Sequence, residues 1–408
     1  MSNEYKHLIV DGLEFWYLKN DFLFINFNGQ ELNQFLQMEA QKTVFDFSPE
    51  QKEKTIVHLS DGIKNLIQIL CKAVRKLKSR GEYKSAAYLA TECFEGLTIY
   101  SEGLKNEGRY VHACNYWLNI LSFVNDGESN NHVQVHKGHP YFFLAFYYLL
   151  SGDLETGFVY AYNAIKEDKI LGKLCPKLGY PEKAPIYLTI FLVDNPYNRM
   201  IHLVKELRKE LDSHITLYNK EFEKNFTIQE FDNKFLQNDS NPKLEGPRYL
   251  FSFSFWSLLE LKKKTNSQIQ DNEFSKLRNL NWVFNLCLII DKLLEANPKI
   301  GKKNMGSNVK QVFEYLNLLS QSEIKNIESK YKIDINRNDP DQVLRVLLPM
   351  KLTSHSIKVP KLAIHYLIAW NLRNYGGHKI KQQKCLVENF DEIFNILMKC
   401  IISSVDLL

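Results

Sequence analysis

An all-α fold is what this sequence predicts, in two parts: a degenerate array of helical hairpins followed by a C-terminal four-helix bundle. Three observations carry the expectation. From about Thr55 onward apolar residues recur at three- and four-residue intervals, as at Ile63, Leu66, Ile67, Leu70 and Val74, which is the spacing of one helix face. Gly81, Gly108 and Gly152 each stand just before a new apolar helical pattern, where helical hairpins turn. Near the C-terminus Phe390, Phe394, Leu397 and Ile401 are spaced 4, 3 and 4 apart, as a bundle seam requires.

Residues 1–55 form an aromatic-rich cap segment in which Phe15-Trp16-Tyr17 and Phe22-Leu23-Phe24-Ile25 flank Asn20-Asp21. A short hairpin and the edge of a helical cap both fit that pattern. Residues 56–236 read as helical repeats. A helix from about Thr55 through Val74 is followed, after Gly81, by one from Tyr83 to Leu97 whose Ala86, Ala87 and Ala90 permit close crossing. Further units open at Gly108-Arg109-Tyr110 and at Gly152-Asp153-Leu154, the latter preceded by an aromatic helix Tyr141 to Leu150 and running on to Ile165. These hairpins resemble tetratricopeptide repeats, in which each unit buries its apolar face by stacking on the next. The turn glycines lie 27 and 44 residues apart, against a family period of about 34, so the array is degenerate. Another helical stretch runs from Lys183 to about Tyr218.

A connecting segment, 237–272, holds one helix, Tyr249 to Leu261, between polar stretches. Residues 273–408 then supply the bundle. Its first helix runs from Phe274 to Ala296 and stops at Asn297-Pro298; Ser307 caps the second, which reaches about Lys330. A short apolar piece, Val343 to Leu348, ends at Pro349. Pro360 opens the third helix, Lys361 to about Tyr375, and the fourth spans Cys385 to about Leu407.

Charge is unevenly distributed. The net value is +5, yet residues 276–408 alone hold 20 Lys and Arg against 12 Asp and Glu. Within them the 46 residues from Gln342 to Val387 contain no acid and eight cations: Arg345, Lys351, Lys358, Lys361, Arg373, Lys379, Lys381 and Lys384. Such a surface suits a polyanion better than a neutral metabolite. The seven cysteines are odd in number, widely spaced and set in helical apolar patterns, the usage of reduced core thiols in a cytosolic protein. Met1 to Tyr5 is polar, without the apolar region of a secretory signal, and no apolar run approaches the ~20 residues of a membrane span. A cytoplasmic location without membrane contact is therefore expected.

The third bundle helix carries the chemistry. Leu362, Tyr366, Ala369 and Arg373 share one stripe at spacing 4, 3 and 4, so the arginine continues an inner face, where a guanidinium requires an anion or carboxylate. Gly376-Gly377 turns the chain and swings His378 back towards it. Asp291, seven residues after Phe284 and fourteen after Leu277, lies on the inner stripe of the first helix as a carboxylate partner for Arg373 or an orienter of His378. Ile364, Leu367, Ile368, Trp370 and Leu372 make the third helix apolar nearly all round. Helices of that kind are covered on every side, which places part of its circumference at a dimer interface.

An arginine and a histidine together suit RNA transesterification, in which the ribose 2′-OH attacks the adjacent phosphate. The imidazole moves protons near neutral pH and the guanidinium stabilises the phosphorane, with no metal or cofactor. Asn374 is placed to hydrogen-bond the phosphate or hold the histidine tautomer; Lys379, Lys381 and Lys384 would hold flanking phosphates.

A helical C-terminal domain in which Arg373-Asn374 and His378 follow an apolar helix resembles the HEPN superfamily (higher eukaryotes and prokaryotes nucleotide-binding), over roughly residues 273–408. The resemblance implies a metal-independent endoribonuclease, a homodimer whose two Arg-x4-His motifs face one composite cleft, and a toxin or anti-phage setting. It carries over Arg373, Asn374 and His378 as the catalytic motif, with Asp291 as the polar residue of the first helix. In family toxins silenced by nucleotidylation a tyrosine lies two residues after the histidine. Ile380 stands there in this chain and Tyr375 precedes the histidine instead. The repeats would then recognise an activator or antitoxin protein. The rival expectation is a non-catalytic adaptor whose bundle serves dimerisation or binds nucleotide or protein.

Other signals are weaker. His132, His136 and His139 have helical metal-ligand spacing, but Asn130-Asn131, Gly138 and Pro140 mark a loop and no further ligand completes a set. No Cys-x2-Cys pair, dinucleotide fingerprint, P-loop or GxSxG elbow is present. The run Lys72, Arg75, Lys76, Lys78, Arg80 reads as a solvated helix face.

Overall fold

Strands hold more than half of the described residues of the N-terminal segment. In the computed structural model, which describes residues 5–18, 21–47, 55–174, 185–194, 200–264, 273–301, 304–350, 359–375 and 384–408, β1 (Lys6–Val10), β2 (Leu13–Leu18), β3 (Asp21–Phe27) and β4 (Gln30–Glu31) form an antiparallel sheet in sequential order. Its tight turns fall at Asp11-Gly12 and Asn28-Gly29, all four residues having positive φ. That geometry matches the right-handed twist of the flanking strands and favours Asn/Asp-Gly. Leu13, Phe15 and Tyr17 alternate into the core. After α1 (Leu32–Gln41), β5 (Val44–Phe47) pairs antiparallel with β6 (Thr55–His58). The helix expected from Thr55 therefore starts later. Thr55, Ile56 and Val57 are β-branched and join a strand, and α2 (Asp61–Ser79) begins where Ser60 Oγ accepts the Ile63 amide at 3.2 Å.

The helices that follow are α3 (Tyr83–Gly96), α4 (Thr98–Asn106), α5 (Tyr110–Asn131), α6 (Gly138–Ser151) and α7 (Leu154–Leu174). At Gly81, Gly108 and Gly152 φ is +74°, +73° and +85°. The next residue in each case donates its amide to a carbonyl five back, Glu82 to Leu77, Arg109 to Leu104 and Asp153 to Tyr148, the helix-ending motif that needs a left-handed residue. Packing is between near neighbours in the chain: α2 on α3 and α5, α5 on α6, α6 on α7. Trp117 stacks on Phe143 at 5.3 Å in the core between α5 and α6.

The chain divides into two compact units, Met1–Leu188 and Thr189–Leu408, whereas the sequence places its boundary at a connecting segment after residue 236. Beyond α8 (Pro185–Ile190), the second unit includes α9 (Ile201–Phe222), α10 (Ile228–Phe231) leading into a π-helical turn at Asp232–Leu236, and α11 (Glu245–Lys264). The bundle elements are α12 (Glu273–Ala296), α13 (Met305–Tyr315), α14 (Gln321–Tyr331), α15 (Pro340–Met350), α16 (Lys361–Tyr375), α17 (Lys384–Glu388) and α18 (Phe390–Asp406).

Four details differ from the four-helix expectation. The second helix is two: Asn317 at φ +51° interrupts it, and Ser320 with Glu323 makes a reciprocal capping box that starts α14. Its first half is capped by Asn304, whose Oδ1 accepts the Ser307 amide at 2.8 Å, so Ser307 lies inside the helix and is not its cap. The fourth helix breaks at Asn389 into α17 and α18. Pro349 does not end α15, which continues to Met350.

α16 packs against α12, α13, α15 and α18, and every residue from Leu362 to Leu372 is buried. The apolar circumference that the sequence reading assigns to a subunit contact is thus covered within the chain. It gives no argument for a dimer.

Candidate functional site

The last turn of α16 brings Arg373 to the edge of this packed core. Asp291, on the neighbouring α12, is buried, and Arg373 Nε donates to its Oδ2 at 3.1 Å. The stripe argument expects a buried arginine, and Arg373 is not buried. Its side chain is 38% exposed against 7% for the carboxylate, in the last turn of α16, beyond the buried run that stops at Leu372. Among the described residues Nη1 and Nη2 make no hydrogen bond. One buried acceptor therefore holds the guanidinium by Nε, which leaves the two Nη groups unbonded among the described residues, a donor pair of the kind suited to a phosphate or carboxylate. Behind the pair, one turn back on α12, burial pushes the Cys287 thiol well up, with Arg373 opposing and Asp291 reinforcing the rise. A neutral thiol backs the ion pair.

The other polar residues of this turn grip the segment before α15. Asn374 Nδ2 donates to Asn336 Oδ1 at 3.1 Å, the Tyr375 hydroxyl to Asp339 Oδ2 at 3.2 Å, and the buried Asn371 amide to the carbonyls of Ile335 and Asn338 at 2.9 and 3.2 Å. The loop is also tied internally, since Asp334 Oδ1 accepts the amides of Asn336 and Arg337. Asp339 precedes Pro340 and accepts the Asp341 amide on Oδ1 at 3.0 Å, so it caps α15 while its other oxygen takes Tyr375. Asp341 Oδ1 in turn accepts the Cys385 amide of α17 at 3.0 Å. The sequence reading missed Asn336, Asp339 and Asp341; Asp339-Pro340 is a helix-start signal that marks this cap.

Of the residues singled out from sequence, Arg373 and Asp291 meet, and Asn374 and Tyr375 follow Arg373 on the last turn of α16. Lys384 is 75% exposed and lies 3.7 Å from Glu388, an i,i+4 pair of little energetic weight. His378, Lys379 and Lys381, with Gly376, Gly377 and Ile380, lie outside the described residues.

In the first unit the three histidines do not converge. His132 ends α5 in the left-handed region, His136 Nε2 lies 3.2 Å from Asp168 and His139 Nε2 lies 3.3 Å from Glu95. The basic run on α2 is partly engaged by protein: Lys72 pairs with Asp11 at 2.6 Å and Lys78 donates to the Gln134 carbonyl at 2.6 Å. Burial lowers the Lys78 pKa, with Glu167 and Glu128 opposing.

Among the described residues no helix is long and apolar enough to cross a membrane. No protein-family model, curated protein or solved structure matches this chain.

Proposed function

We propose that the C-terminal part of the chain is a metal-independent endoribonuclease of HEPN type, with Arg373, Asn374 and His378 as its catalytic motif. The observation that supports this reading best is the half-exposed Arg373, held through Nε by buried Asp291 with both Nη groups unengaged among the described residues. A guanidinium fixed before substrate arrives stabilises developing charge without reorganising during the reaction.

In this reading the substrate's 2′-oxygen attacks the adjacent phosphorus. His378 takes the 2′-OH proton, Arg373 Nη groups stabilise the dianionic phosphorane, and the 5′-oxygen leaves with a proton returned by the imidazole. The products are a 2′,3′-cyclic phosphate and a 5′-hydroxyl. Asn374, tethered to Asn336, positions the phosphate, and Lys379, Lys381 and Lys384 hold flanking ones. A second copy of the chain, completing a composite cleft, is proposed from the family resemblance alone. The helical hairpins of the first unit would receive an activator or antitoxin protein, in a toxin or anti-phage role.

The test is cleavage of RNA in EDTA. Wild-type protein should leave 2′,3′-cyclic phosphate ends, and Arg373→Ala and His378→Ala should abolish them while remaining folded by circular dichroism. Cleavage that survives both substitutions overturns the site. A folded wild type that binds RNA or nucleotide without cleaving it favours the adaptor reading. A monomer by light scattering at assay concentration removes the composite cleft.

A further inference from the structure

Between α1 and α4 the first unit holds a cleft of about 320 Å³. That is the lower end of the roughly 300–1,000 Å³ of small-molecule sites, room for one small metabolite. On α1 it is lined by Gln37 and Gln41, four residues apart, a spacing that puts two side chains on one helix face. Both are exposed, and neither amide bonds to another side chain among the described residues. On α4 it is lined by the half-buried ring of Tyr100 and by Ile99 and Leu104. Tyr100 rests on the fully buried Tyr116, with 5.2 Å between ring centroids, so the core sets its position.

Two opposite charges line the same cleft. Glu107 and Arg109 flank Gly108, in a turn held by the Gly108 amide on the Lys105 carbonyl at 2.9 Å and the Arg109 amide on the Leu104 carbonyl at 2.8 Å. Arg109 Nη1 lies 3.4 Å from Glu107 Oε2, with the side chains 38% and 63% exposed. So open a pair has little weight, and a ligand can compete for both partners. Burial raises the Tyr100 phenol, with Arg109 opposing and Glu107 reinforcing the rise. Both charges therefore act on one ring, and the phenol stays neutral.

Gly103 adds an independent observation. It lies within α4 and lines the cleft, and a Cβ built on it would meet nothing within 4 Å. Alanine would serve the helix better, so what glycine leaves there is open cleft. A local rule broken with no gain inside the fold is a mark of functional sites.

We propose that this cleft binds a free α-amino acid with an apolar side chain. The charges decide the class. A singly charged ligand is attracted by one of Glu107 and Arg109 and repelled by the other, whereas the adjacent ammonium and carboxylate of an amino acid meet both. Arg109 takes the carboxylate and Glu107 the ammonium, as charge-assisted hydrogen bonds. The apolar side chain lies against Ile99, Leu104 and the Tyr100 ring, with Gln37 and Gln41 as further donors and acceptors. This site is independent of the ribonuclease reading.

Calorimetric titration of the full chain with L-leucine and L-phenylalanine tests it. At least one should bind with Kd below about 1 mM. Its N-acetyl derivative, which lacks the ammonium, and its amide, which lacks the carboxylate, should each bind about tenfold more weakly or worse. Gly103→Leu fills the cleft and should abolish binding with a thermal midpoint at or above that of wild type. Arg109→Gln and Glu107→Gln should weaken binding about tenfold or more while remaining folded by circular dichroism. No heat from either amino acid at about 10 mM overturns the proposal. So does wild-type affinity in folded Gly103→Leu, which places the site elsewhere, or in Arg109→Gln, which decides the matter should Gly103→Leu fail to fold. Equal binding of the two derivatives overturns recognition of the paired charges. Binding of adenosine monophosphate that Gly103→Leu abolishes, with neither amino acid bound, overturns the amino-acid class and assigns the cleft to nucleotides.

Discussion

Arg373 meets Asp291 through Nε alone among the described residues, at 3.1 Å, with the carboxylate almost fully enclosed and the arginine side chain 38% exposed. The two residues are therefore unequal partners. Arg373→Ala leaves a carboxylate in the core without its charge partner and should destabilise the protein by about 1–3 kcal/mol. The half-exposed arginine keeps the loss below the ~3–5 kcal/mol of a fully buried pair. Asp291→Asn retains a hydrogen-bond acceptor and removes the buried charge, so it should cost less. Adding it to Arg373→Ala should recover part of the lost stability. Urea unfolding of the two single variants and the double checks this, and a strictly additive double variant would contradict the pairing. Activity should return in none of the variants lacking Arg373.

Gly306 of α13 lies directly against Trp370 of α16. A Cβ at this position would lie 2.6 Å from Trp370 Cζ2 and 2.7 Å from Cε2, and the indole is buried. Gly306→Ala should therefore destabilise the second unit by about 1–3 kcal/mol, although alanine is the better helix former. A thermal midpoint equal to or above wild type would show that the contact relaxes freely.

In the first unit Glu82 joins α3 to the sheet, accepting from the Tyr17 hydroxyl at 2.5 Å and pairing with Lys6. Burial pushes its carboxyl up, but the Lys6 and Tyr17 hydrogen bonds outweigh this and hold it below the usual range. Tyr17 is pushed up to about 12, by burial and then by Glu82. A depressed carboxyl contributes stability that is present above its unfolded value and disappears as pH falls through the folded one. A raised phenol contributes stability present below about 10 and lost as pH rises towards about 12. Glu82→Gln should flatten the acid limb of the urea-midpoint profile below about pH 4.5, and Tyr17→Phe the alkaline limb above about pH 10. Profiles parallel to wild type in both variants would remove the linkage.

The helical periods were legible because they depend on local spacing: α3, α12 and α16 lie within a residue or two of their sequence-based bounds. The sheet was less so. The hairpin alternative for Phe15-Trp16-Tyr17 and Phe22-Leu23-Phe24-Ile25 is what forms, as β2 pairs with β3, but the turn signals Asp11-Gly12 and Asn28-Gly29 add two more strands to the sheet, and Thr55 to His58 joins a strand through pairing with Val44 to Phe47. That pairing is non-local, and no helical or strand period within one segment reveals it. The breaks at Asn317 and Asn389 were hidden because apolar spacing continues across them. At the candidate site, stripe arithmetic put Arg373 and Asp291 on facing helices. Their unequal exposure depends on how much structure packs around the last turn of α16. The grip of Asn374 and Tyr375 on residues 336–339 depends on tertiary packing, as does the fastening of Asp341 to Cys385.

Tyr366 supplies a control for the catalytic variants. It lies on the same stripe of α16 as Arg373, fully buried, with its hydroxyl 3.1 Å from Ser404 Oγ and 3.5 Å from the Cys400 carbonyl on α18. Burial raises its pKa far above the ordinary value, so the phenol is neutral at any working pH. Tyr366→Phe deletes the hydroxyl, while Ser404 can turn its own hydroxyl to the carbonyl four residues back, and the cost should be about 0.5–1.5 kcal/mol. Arg373→Ala and Tyr366→Phe then weaken the same helix by overlapping amounts, yet only the first removes the proposed phosphate contact. RNA cleavage assayed well below both melting transitions should be lost in Arg373→Ala and within about twofold of wild type in Tyr366→Phe, since a loss of transition-state contact acts on kcat/KM independently of the folded fraction. Equal loss in the two variants would mean that Arg373 matters through stability and not through the substrate.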